Sequence, residues 1–140
     1  MYESYTRQAL PARYYRELLG SAICVFNSNN NFVIENILRN DEGNQYSWHE
    51  LIDEESGKLF SPIKDTITKV SGTRIARSFE GIVSKRNRIS HSFQITYNGE
   101  QVLATKDKLN RQYVITEDYL LKFILDNEKL SDLLHNFRGF

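Results

Sequence analysis

Apolar residues recur at helical spacing from early in the chain. Tyr15, Leu19, Ala22 and Phe26, then Phe32, Val33, Ile37 and Leu38, keep an i, i+3/i+4 rhythm, which predicts a helix from Ala12 to about Arg39. Pro11 ends the short stretch before it. Asn27, Ser28, Asn29, Asn30 and Asn31 interrupt the rhythm; as poor helix formers they either break the element or form its wet face. Asp41 to Gln45 reads as a loop pivoting on Gly43. Ser47 followed by Glu50 has the capping-box pattern, so a short helix opens in SWHELI. Ser61 and Pro62 predict an N-cap and first helical residue, starting a helix through Ile63, Ile67 and Val70 that Ser71 and Gly72 punctuate.

From Thr73, Ile75, Phe79, Ile82, Val83 and Ile89 alternate with basic residues at helical intervals, predicting a helix to about Ser92. The period then changes. Asn98-Gly99 between alternating runs is a hairpin signal, and a two-residue turn sets Tyr97 opposite Glu100, Ile95 opposite Val102 and Phe93 opposite Ala104. Tyr113, Val114 and Ile115 suit a short third strand. Thr116 caps a final amphipathic helix with Glu117 and Asp118 in its first turn and Leu120, Phe123, Ile124, Leu130, Leu133 and Leu134 facing inward. The chain therefore reads as mainly α: a helical bundle with a β-hairpin appended near residues 93–106, the insertion reaching about residue 115.

With 140 residues the chain is expected to form one domain over 1–140, and 40% hydrophobic with 26% charged residues excludes disorder as its main state. No apolar run is long enough for a membrane span, and MYESYTRQAL lacks the layout of a secretion signal, so a cytoplasmic chain without membrane contact is expected. Cys24 is the single cysteine; set in SAICVF, it reads as buried filler. Eighteen basic residues balance eighteen acidic ones, which argues against a general electrostatic coat for nucleic acid. The distribution is uneven. Lys69, Arg74, Arg77, Lys85, Arg86 and Arg88 face only Glu80 between residues 69 and 88, whereas residues 35–55 hold seven acids against Arg39.

Three histidines are present, and His49 and His135 sit near predicted helix ends, where a surface role suffices. His91 instead ends the basic string KRNRISH. On a helix, Asn87 and His91 share a face and Glu80 lies on that stripe two turns earlier. Glu80 suits an ion pair with a neighbouring arginine better than acid–base work. Arg86, five positions before His91, lies about 140° round the cylinder, so the two serve one phosphate only if Arg86 reaches across, the helix ends, or a two-fold partner brings a second copy.

RNRISH, with Arg86, the polar Asn87 directly after it and His91 after four intervening residues, resembles the Arg-polar-x-x-x-His signature of the HEPN superfamily (higher eukaryotes and prokaryotes nucleotide-binding). That resemblance implies a small helical bundle, commonly homodimeric, acting as a metal-independent ribonuclease of the kind found in toxin, phage-defence and CRISPR-associated systems. The hairpin departs from the family's all-helical core. In this reading Arg86, Asn87 and His91 are catalytic and RNA is the substrate, with Lys85, Arg88, Arg77 and Arg74 as candidate backbone contacts, each equally explained by a solvated basic face.

Metal-free cleavage needs the substrate's own 2′-hydroxyl as nucleophile, a group that moves protons near neutral pH and fixed charge on the phosphorane. An imidazole and a guanidinium are suited to the last two tasks. No cofactor is expected: the acids of residues 35–55 lack a calcium-loop spacing, no His-x-x-x-His pair exists, and no glycine-rich phosphate loop is present. The competing reading is a non-catalytic dimerisation or partner-binding module, which predicts a buried His91. A third makes the chain half of a toxin pair, silenced by an antitoxin or nucleotidyltransferase-like protein acting near the motif, with Tyr97 close by.

Overall fold

A computed structural model describes residues 1–139. Three long helices form the framework: α1 (Arg13–Arg39), α5 (Arg74–Ser90) and α6 (Glu117–Arg138). Between α1 and α5 lie α2 (Trp48–Asp53), a 3-10 turn (Ser56–Leu59), α3 (Phe60–Asp65) and α4 (Ile67–Ser71). Strands β1 (Phe93–Tyr97), β2 (Glu100–Lys106) and β3 (Gln112–Ile115) separate α5 from α6. The chain is thus mainly helical, with a small three-stranded antiparallel sheet in the order β1-β2-β3.

Contacts advance together along α1 and α6, so these helices run side by side in one direction. The Tyr15 hydroxyl donates to the Ile115 carbonyl just before α6, Asn29 bonds Asn127, and Arg138 pairs with Glu35. Helix α5 runs against both. Phe26 of α1 stacks on Phe79 of α5 and Phe123 of α6 at centroid separations of 6.4 and 6.3 Å, and Phe60 meets Phe79 edge-on at 5.8 Å. Phe79 is fully enclosed; its truncation to alanine would cost about 3–5 kcal/mol.

The asparagine run neither breaks α1 nor serves only as its wet face. Asn29 is buried and its Nδ2 donates to the Asn127 carbonyl at 2.7 Å and to Asn127 Oδ1 at 3.0 Å, so a polar clamp inside the core offsets the weak helix propensity. Cys24 is exposed rather than buried. Two residues from buried Ala22 and Phe26, it is turned about 200° away from each, which the apolar neighbours in the string conceal.

Ser47 caps α2 by accepting from the Glu50 N–H, and Thr116 caps α6 by accepting from the Tyr119 N–H. Ser61 does not cap: the preceding 3-10 turn carries the chain into α3 at Phe60, placing Pro62 within the first turn, where its missing N–H is harmless. The element also divides at Thr66, whose hydroxyl donates to the Pro62 carbonyl. Helix α5 ends at Ser90, two residues early, where Ser92 bonds back to the Ile89 carbonyl.

The hairpin register is the expected one, with Phe93 opposite Ala104, Ile95 opposite Val102 and Tyr97 opposite Glu100. Asn98 (φ 50°) and Gly99 (φ 79°) take the left-handed conformations that a tight right-twisted turn requires. The Tyr15 hydroxyl also accepts from the Leu103 N–H at 3.1 Å, pinning the sheet to α1. On α6, Leu120, Phe123, Leu130 and Leu134 are buried, and Ile124 and Leu133 pack against the core partly covered.

Candidate functional site

Helix α5 carries two polar features on an otherwise apolar packing helix. Ile75, Phe79, Ile82, Val83 and Ile89 are buried. Arg86 falls on that apolar side, three residues after Val83 and three before Ile89. Its guanidinium carbon lies 5.0 Å from the Phe26 ring centroid, a cation–π contact. Its Nε is buried without a hydrogen-bond partner. Arg86, Asn27, Ser90, Ile23 and Phe26 are among the lining of a small cavity of about 120 Å³ between α1 and α5. A buried guanidinium nitrogen without a partner calls for an explanation, which keeps Arg86 among the candidate residues.

The second feature is the stripe Glu80, Ser84, Asn87 and His91, set three to four residues apart. The first three line one wall of a groove of about 600 Å³. His91 follows the last helical residue; its N–H bonds to the Asn87 carbonyl at 2.9 Å and its side chain is exposed. Arg86 and Asn87, being adjacent, line different cavities. Within one chain the structure therefore brings Asn87 and His91 to one face of α5 and places Arg86 on the next.

The expected backbone contacts divide. Lys85 is bound in an ion pair with Asp126 at 2.6 Å, with both side chains about one third exposed or less. Arg88 donates Nη1 to the Lys106 carbonyl at 2.6 Å and lines the groove beside Asn87. Arg74 and Arg77 are exposed, and neither is in an ion pair among the described residues. Glu80 forms no ion pair with a neighbouring arginine among the described residues and is exposed at the groove, although Arg77 stands one turn before it.

The opposite groove wall was not legible in the sequence. It consists of the β2–β3 loop and the 3-10 turn, with Tyr113, Arg111, Lys108, Phe60 and Gly57. Asp107 staples the loop: its Oδ1 accepts from the Leu109 and Arg111 N–H groups at 2.8 and 3.0 Å, and its Oδ2 accepts from Arg111 Nε at 2.8 Å. These bonds hold the Asp107 carboxyl below its ordinary pKa. The available signal was an aspartate at the end of a strand with an Asn110 able to take positive φ, here 62°. Behind the wall Tyr113 lies 6.2 Å from Tyr119. Burial, then the charge and hydroxyl of Tyr113, push the Tyr119 phenol far above its usual range, with Arg88 opposing.

Among the described residues no three His, Cys, Asp or Glu side chains gather in a metal-binding group, and no helix is long and apolar enough to cross a membrane. No family model matches the chain, and neither a curated protein nor a solved structure does.

Proposed function

We propose that the chain is a metal-independent endoribonuclease of the HEPN type, whose site lies at the C-terminal end of α5 and is completed by a second copy of the chain. The observation that carries this reading is the exposure of His91 at the helix end, one turn past Asn87 on the same face; the partner-binding reading predicts a buried imidazole. In the proposed reaction His91 takes the proton of the substrate 2′-hydroxyl, which attacks the adjacent phosphorus. The bond to the 5′-oxygen breaks, and that oxygen leaves with a proton from the symmetry-related His91. Arg86 holds the non-bridging oxygens through its outer nitrogens and Asn87 orients the imidazole or the phosphate. Products are a 2′,3′-cyclic phosphate and a 5′-hydroxyl.

Incubation of the purified chain with transfer and messenger RNA in chelator, beside His91→Ala, tests it. Cleavage by the parent and none by the variant is the expected result; equal turnover by both removes the proposal. A second reading, the non-catalytic dimerisation or docking module, draws support from one observation: the Arg86 guanidinium stacks on Phe26 as a structural arginine does.

A further inference from the structure

Residues that pack a core need no walled groove beside them, yet the polar stripe of α5 faces one. On one side stand Glu80, Ser84 and Asn87; on the other the half-buried rings of Phe60 and Tyr113 and a loop stapled by Asp107. Arg88 is fixed by its bond to the Lys106 carbonyl, so its guanidinium lines the groove already oriented, and Lys108 and Arg111 stand at the same wall. Rigid aromatic surfaces, an oriented guanidinium and an unpaired carboxylate are the parts that recognise one nucleotide: stacking for the base, positive charge for the phosphate, an acceptor pair for the base edge. The volume of about 600 Å³ is within the range of small-ligand sites.

We infer that this groove is a base-selective subsite that seats the unpaired RNA nucleotide next to the scissile phosphate, with Glu80 selecting guanine. Along a helix rising 1.5 Å per residue, Asn87 precedes His91 by about 6 Å and Glu80 precedes Asn87 by about 10 Å. A strand whose scissile phosphate lies at His91 therefore passes Asn87 and Arg88 with the neighbouring phosphate and lays its base toward Glu80. Guanine offers two adjacent donors on its Watson–Crick edge, matched by the two oxygens of one carboxylate; uracil offers one donor between two acceptors, which a carboxylate repels. The inference rests on the nuclease reading for the identity of the strand, and on the groove alone for the choice of base.

The test uses the whole chain and two variants outside the proposed catalytic trio. Glu80→Gln replaces the carboxylate on an exposed position. Gly57→Phe plugs the groove from the 3-10 turn, where an added Cβ meets nothing within 4 Å. Oligonucleotides differing only in the base beside the cleaved bond are digested, and non-cleavable dinucleotides carrying a 2′-deoxyribose at that bond are titrated by fluorescence anisotropy. Guanine is expected to be favoured by about ten-fold in both measurements, the preference falling to about two-fold in Glu80→Gln. Gly57→Phe should weaken dinucleotide binding by about ten-fold with an unchanged unfolding midpoint. Cleavage with no base preference in any of the proteins overturns the subsite and leaves the nuclease standing. Guanine-selective binding that Glu80→Gln loses, without cleavage, keeps the groove and removes the nuclease. Guanosine monophosphate binding as tightly as the dinucleotide assigns the groove to free nucleotides and overturns the inference.

Discussion

Replacing Arg86 with methionine separates what that side chain does for the fold from what it does for chemistry. The guanidinium makes one identifiable favourable contact, 5.0 Å from the Phe26 centroid, worth about 1 kcal/mol at a half-buried site. Against this, its buried Nε has no partner, a desolvation penalty of about 1–3 kcal/mol that methionine removes. Methionine also has the length and flexibility to keep covering Phe26 beside Ile89. The expected balance is a gain of about 1 kcal/mol, which raises the melting temperature by about 4 °C in a chain of this size. Thermal and urea unfolding read the first quantity; RNA cleavage in chelator reads the second, and it should be lost. A variant destabilised by about 2 kcal/mol or more would show Arg86 to be a structural anchor, and a stable variant that still cleaves would take Arg86 out of the site. The first result favours the docking-module reading; the second leaves a nuclease that does not use Arg86.

Asn29→Leu should destabilise the chain by about 2 kcal/mol in urea unfolding, because Asn127 Oδ1 is left buried without the donor that now reaches it at 3.0 Å. Cys24, exposed on α1, should react completely with a thiol reagent in the native protein, with no lag for unfolding. Tyr46 donates to Asp65 Oδ2 at 2.7 Å, and this bond holds its phenol up at about 12. Since the folded value lies above the unfolded one of about 10, the bond stabilises the fold fully below pH 10 and the contribution fades as pH rises toward 12. Difference titration of the parent against Tyr46→Phe at 295 nm should show one late phenol, brought down by Asp65→Asn.

The elements legible in the sequence were those fixed by local chemistry. Asn98-Gly99 set the turn, and the turn set every pair of the β1–β2 register; Thr116 and Ser47 announced two helix starts because each satisfies an orphan N–H on its own. What escaped depended on partners far along the chain. The asparagine run reads as a break or a wet face until Asn127, 98 residues away, answers Asn29. Pro62 looked like a helix start because nothing local reveals the 3-10 turn that enters α3 ahead of it. The groove has the same cause: α5 supplies one wall, legible as a polar stripe, while the other comes from the 3-10 turn and from a loop positioned by the sheet.

Helix α5 is where the sequence departs from what folding alone would select. Packing against α1 and α6 would be served by an apolar residue at 86, yet an arginine stands there with an unsatisfied nitrogen. A continuous helix through Ser92 would fix His91 about 140° from Arg86 and beyond its reach. The helix ends at Ser90, where Ser92 bonds back to the Ile89 carbonyl, but the His91 N–H still bonds to the Asn87 carbonyl, so His91 stays on the Asn87 face, exposed at the helix end and apart from Arg86. A buried unpaired group on an apolar helix face is the kind of departure from local rules expected at a site; with Arg86 and His91 on different faces of α5, one phosphate could meet both groups only across two copies of the chain.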